Sequence, residues 1–133
     1  MKKGLLVLLV AGCAESPPDL ALGQKIYAQH CAACHGAKLE GQGDWRKPLP
    51  NGRMPAPPHD ESGHTWHHPD HVLFGITRIG LVAPYAPARY QSDMPAFADK
   101  LSDDEIWAVL AYIKSTWPER IRQQQAEISR AAR

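Results

Sequence analysis

Five consecutive residues carry the clearest chemistry in the chain: Cys31-Ala32-Ala33-Cys34-His35. Two thiols three positions apart, followed at once by an imidazole, make the pattern C-x-x-C-H. This is the attachment sequence of haem c. On a helical turn both thiols can reach the vinyl groups on one porphyrin edge and close a thioether each. The next residue, His35, then lies under the iron as an axial ligand. Three other chemistries compete for the pair. An exported protein could close Cys31 and Cys34 into a disulfide. A thioredoxin-like redox pair needs a βαβ setting, and no strand pattern surrounds these residues. A zinc site needs further ligands, and the one remaining cysteine, Cys13, belongs to a different feature.

The elements around this motif read as helices joined by long loops. A first helix is expected from Asp19 to about Ala33, with Asp19 as its N-cap after the extended Pro17-Pro18. Leu22 and Ile26 share one face, beside the pair Gly23 and Tyr27. Residues 36–68 show no sustained period and are rich in glycine and proline, so they read as loop. Gly41-Gln42-Gly43 within them is too short to argue for a phosphate site. A second helix fits Pro69 to Ile79, with Pro69 at its first position and Gly80 as its stop. Val72, Leu73, Ile76 and Ile79 would be its apolar face. Residues 81–98 read as another loop. The last core helix is the best marked: Ser102-Asp103-Asp104-Glu105 is a capping box, and Leu101 with Ile106 forms a hydrophobic staple. Ile106, Val109, Leu110, Ile113 and Trp117 then recur at helical spacing, and Pro118 marks the end or a kink. Residues 119–133 read as a polar tail, able to form a frayed helix on the surface. No strand runs and no repeats occur, so the fold class is all-α.

With these residues in place the chain resembles the class I c-type cytochromes of bacteria over about Asp19 to Pro118. The resemblance rests on C-x-x-C-H, on Gly23-x-x-x-Tyr27 before it, on Ser92-Asp93-Met94-Pro95-Ala96-Phe97, and on Leu101 to Ile113. It implies a cytochrome c fold of three to five helices, with long loops wrapped around one covalent haem c. It implies that Gly23 and Tyr27 pack on the last helix, near Val109 and Tyr112. Cys31 and Cys34 would hold the porphyrin and His35 would be the proximal ligand. For the sixth position the mature chain has two methionines, each followed by proline. Met94 lies between the second helix and the last, which is the family's order for the distal ligand. Met54 sits in the loop that usually wraps the proximal side. The assignment is therefore Met94, against the plain alternative of a gap-filling core methionine. A His/Met pair raises the potential and closes the iron to substrate. The implied role is a one-electron carrier between redox proteins at a membrane surface, not an enzyme. An electron-relay subunit of an oxidoreductase complex is a further option.

His59, His64, His67, His68 and His71 fall within thirteen residues. One reading is a second metal site for copper or zinc, which would make the chain a metal-binding or sensing module. Helix geometry weighs against it. A helix beginning at Pro69 leaves His67 outside, puts His68 at the N-cap and takes the His67/His71 pair off one face. The plainer reading is a polar loop near a haem propionate, with Trp66 as its hydrogen-bond donor. His30, beside Cys31, reads as a solvated helix residue.

The N-terminus reads as an address. Met1-Lys2-Lys3 is a basic start, and Gly4 to Ala11 is an apolar run of only eight residues. A helix that long spans about 12 Å, far short of a bilayer. Residues 1–12 are therefore expected to be an export signal. Val10-Ala11-Gly12-Cys13 resembles the lipobox of bacterial lipoproteins, which implies cleavage before Cys13 and lipidation of its thiol. Residues 13–18 would be a tether of roughly 20 Å at most. The expected location is a bacterial membrane surface, facing the periplasm or the cell exterior.

Composition limits the alternatives. The 133 residues make one domain, too few for a two-domain dinucleotide enzyme, a TIM barrel or a multispan channel. Fifteen basic and fourteen acidic residues give no basic field for nucleic acid. Loss of Lys2 and Lys3 with the signal takes the formal charge from +1 to −1. Ten glycines and twelve prolines leave a small core that needs a staple or a large cofactor.

Overall fold

The computed structural model describes residues 17–133. The expected signal segment, Cys13 and most of the tether lie outside the described residues. Asp19 begins the first helix as expected: its side chain accepts from the Leu22 N–H at 2.9 Å. Helix α1 covers Leu20–Ile26, passes into a π-helical segment over Tyr27–Cys31, and continues as α2 over Ala32–His35. The helical run thus reaches two residues past the expected Ala33. It also contains a wide turn, in which the Ala32 N–H reaches back to the Tyr27 carbonyl. One extra residue in a turn rotates everything after it by about 100° relative to an unbroken α-helix. Cys34 and His35 therefore point to a different side than the phase of α1 alone would give them.

Helix α3 covers Asp70–Ile79, with Pro69 as the N-cap and Gly80 at φ +84° ending it. The start is one residue later than expected. Pro69 has no N–H to leave unsatisfied in either position. His68 is consequently not the N-cap, as expected, but lies outside the helix. The apolar face is also narrower than expected. Leu73 is buried, Val72 and Ile76 are half-buried, and Ile79 is exposed.

Helix α4, Asp103–Ser115, carries the full capping box: Ser102 Oγ accepts from the Glu105 N–H, and the Glu105 carboxylate accepts from the Ser102 N–H at 2.8 Å. Leu101 and Ile106 are both buried at its entry. Helix α1 crosses α4 closely enough that a Cβ on Gly23 would overlap the Ala108 carbonyl and sit 2.8 Å from Tyr112 Cβ. The Tyr27 and Tyr112 rings meet at 5.6 Å. The expected partner Val109 is buried beside this crossing, but the backbone that Gly23 admits belongs to Ala108.

The polar tail is not a frayed surface helix. It forms α5, Glu119–Ala131, with Ile121, Gln125 and Ser129 buried. Gln125 Nε2 donates to the His68 carbonyl at 3.1 Å and to Asp70 Oδ1 at 2.7 Å, and Ser129 Oγ accepts from the Asp70 N–H at 3.0 Å. Two polar residues that look like surface in the sequence, Gln125 and Ser129, therefore clasp the start of α3. The core runs from Ile26 and Tyr27 through Ile106, Val109 and Ile113 to Trp117. Among the described residues the structure is all-helical, without strands. Among the described residues no helix is long and apolar enough to cross a membrane.

Candidate functional site

The site is built at the end of the first helical run. Cys31 is half-buried, Cys34 is exposed, and both thiols are free. Burial, with Cys34 beside it, pushes the Cys31 thiol up to about 11. His35 is buried at the end of α2. Its Nδ1 donates to the Pro57 carbonyl at 2.8 Å, which leaves Nε2 as the nitrogen with a free lone pair. Burial lowers the pKa of this imidazole, and the Pro57 hydrogen bond offsets only part of the effect. The neutral ring, the form that binds a metal, is therefore favoured.

A tightly folded loop delivers that carbonyl. Gly41 and Gly63 press against Pro58 from two directions: a Cβ on Gly41 would overlap Pro58 N, and one on Gly63 would overlap the Pro58 carbonyl. Leu39 adopts a left-handed φ of +65°, a conformation that costs roughly 1–2 kcal/mol for a residue with a Cβ. In return its carbonyl accepts from the N–H groups of His59 at 2.8 Å and Asp60 at 3.3 Å. The Gly41 N–H returns to the His35 carbonyl at 2.7 Å, and the Tyr27 hydroxyl donates to the Gly36 carbonyl at 2.9 Å.

The segment around Met94 docks on α3. The Phe97 and Ala98 N–H groups donate to the Thr77 and Arg78 carbonyls at 3.1 and 3.0 Å. The Met94 N–H is tied to Ser92 Oγ at 3.0 Å. Met94 packs against the hydrophobic core that Cys31 and Ala32 also border, whereas Met54 is exposed. An ion pair between Arg53 and Asp93 joins the two methionine loops.

The cytochrome c family model matches residues 20–117, most of the chain and all of this site. The chain belongs to the cytochrome c family. It is 32% identical over 108 residues to chloroplastic cytochrome c6 of Chlamydomonas reinhardtii. The match covers 80% of this chain and 62% of that protein, so the chain spans about three fifths of the relative's length. No solved structure gave a significant match.

The residues present fit the family's cofactor, one covalently attached haem c. Two unpaired thiols stand at the attachment spacing. The imidazole next to them has one nitrogen engaged by a backbone carbonyl and the other free, the arrangement that fixes the tautomer of a metal-binding histidine.

Two readings of the histidine loop meet this geometry. The Trp66 indole N–H, expected to meet a propionate, donates to the Glu61 carbonyl at 3.2 Å. The five clustered histidines also part company. His59 stacks on His35, His64 on Trp45 and His67 on Trp66, while His68 meets His64 edge-on at 5.5 Å. His71 is exposed in the first turn of α3. Among the described residues no three His, Cys, Asp or Glu side chains come together to hold a metal ion, so nothing here supports a copper or zinc site. Each ring finds an aromatic neighbour or solvent in place of a shared ligand position.

Sequence reasoning missed Pro57, Gly41, Gly63 and Thr65. Pro57 acts through its backbone, which has no side-chain signal. His59 was grouped with the other histidines, yet its partners are His35 and Thr65.

Proposed function

We propose that the protein is a one-electron carrier, held at a membrane surface by lipid on Cys13 and working between redox proteins there. The observation that carries this reading is the hydrogen bond from His35 Nδ1 to the Pro57 carbonyl, one residue after a free cysteine pair at haem-attachment spacing. Cys31 and Cys34 would hold the porphyrin edge by thioethers, and His35 Nε2 and the Met94 thioether would be the axial ligands. Bound there, haem supplies a single-electron iron couple. The protein's part would be to supply both iron ligands, from His35 and Met94, and to keep water away. Membership of the cytochrome c family supports electron transfer, as does the likeness to cytochrome c6. For Met94 the support is its packing on the core, its position before α4, and the exposure of Met54. For Cys13 the support is the apolar run and small residues that precede it.

A potentiometric titration of the purified holoprotein tests the reading. A single reversible one-electron wave is expected, with no carbon monoxide binding to the reduced iron. Gas binding to the unaltered protein would indicate an open sixth position, and the carrier reading would fail.

A further inference from the structure

His59 holds no expected cofactor bond, yet its ring lies almost flat on the His35 imidazole: the centroids are 3.9 Å apart and the planes differ by 22°. The ring is fixed in turn. Its Nδ1 lies 2.8 Å from Thr65 Oγ1, a buried hydroxyl that donates to the Pro58 carbonyl at 3.4 Å. With its proton used there, the hydroxyl oxygen accepts from His59 Nδ1–H. The Tyr27 ring meets His59 edge-on at 6.3 Å. The backbone is held on both sides as well. The His59 N–H donates to the Leu39 carbonyl at 2.8 Å, and its carbonyl accepts from Trp117 Nε1 at 2.7 Å.

We propose that His59 is a positioning residue for the axial imidazole. Together with the Pro57 carbonyl it fixes the rotation of the His35 ring, and through that rotation it sets the electronic asymmetry of the iron site. The inference rests on the reading of His35 as the haem ligand. A single hydrogen bond at Nδ1 restrains one edge of the ring but lets it rock about the N–H···O line, because hydrogen bonds tolerate wide angles. A second flat ring at van der Waals distance across the face removes that freedom. An aliphatic side chain would fill the same space without defining a plane. The plane of an axial imidazole matters because its π orbitals interact with iron d orbitals in one direction only. Thr65 completes the device by holding the plane of His59 itself.

Three variants of the holoprotein test this, read by the haem-methyl proton shifts and the electron-paramagnetic-resonance rhombicity of the oxidised form. His59→Ala and Thr65→Val are expected to redistribute the methyl shifts and change the rhombicity. His59→Phe, which keeps a flat ring on His35 but has no nitrogen for Thr65, is expected to match Thr65→Val and to fall between His59→Ala and the unaltered protein. If His59→Ala does not fold, the shift of Thr65→Val from the unaltered protein decides. An unchanged pattern in Thr65→Val or in folded His59→Ala overturns the proposal. A pattern in His59→Phe displaced as far as that of His59→Ala also overturns it. Absence of covalent haem from the unaltered protein would instead overturn the carrier reading itself, and this inference with it.

Discussion

The His35 imidazole is oriented by a backbone carbonyl, so the residues that matter most behind it are those that shape the Pro57–His59 backbone. Gly41 at φ +69° and Gly63 both abut Pro58 where no Cβ fits. Gly41→Ala combines a left-handed backbone with overlap against backbone atoms that cannot move aside. It is expected to destabilise the holoprotein by about 2–4 kcal/mol, read as a fall in the urea midpoint. Gly43, with open space around it and no positive φ, is the control: Gly43→Ala should stay within about 0.5 kcal/mol. Equal effects at the two glycines would contradict the account of the loop. The same contrast shows what was legible at this scale. Cys31, Cys34 and His35 announce themselves because their side chains react or ligate at fixed spacing. Pro57 contributes an oxygen that every residue possesses, and only the folded loop reveals its use.

At the scale of elements, the start of α4 is readable because its capping box and staple are local; its end is not, since the helix stops at Ser115 and leaves Trp117 of the apolar repeat outside it. The wide turn at Tyr27–Cys31 is not readable either, since a π-helical turn has no composition of its own. Helix α5 was misjudged for a third reason: its buried residues include Gln125 and Ser129, which are polar and read as solvent-facing. They are buried because they satisfy the start of α3, and Lys114 of α4 joins them through a 2.7 Å ion pair with Asp70. Burial alone would raise the Asp70 pKa, but hydrogen bonds from Lys114 and Gln125 and the Lys114 charge outweigh it and hold the carboxyl low. The folded state therefore resists protonation more than the unfolded chain does. The contribution is fully present above the unfolded carboxylate pKa of about 3.9 and is lost as pH falls through the lower folded value. Asp70→Asn should lower the urea midpoint at pH 7 and narrow the gap to the unaltered protein below about pH 4. An equal gap at both pH values would show that the ion pair does not link the three helices.

Across the whole molecule, the long loops that outweigh so small an apolar core have a physical reason if they pack on a porphyrin. On the proposed reading the chain needs no disulfide, because haem would take Cys31 and Cys34 and lipid would take Cys13. The proposed anchor would be separable from the described fold, since Cys13 precedes the first described helix in sequence. Cys13→Ser should move the exported protein from the detergent phase to the aqueous phase in a phase-partition assay, with its haem spectrum unchanged. Retention in the detergent phase would contradict a lipid anchor at that residue. The central claim is that His35 and Met94 close the iron of a covalently held haem. It is tested most directly by the methionine–iron charge-transfer absorption of the oxidised protein. That band should be present in the unaltered protein and in Met54→Ala, and absent from Met94→Ala. Its survival in Met94→Ala, or its loss in Met54→Ala, would contradict the account.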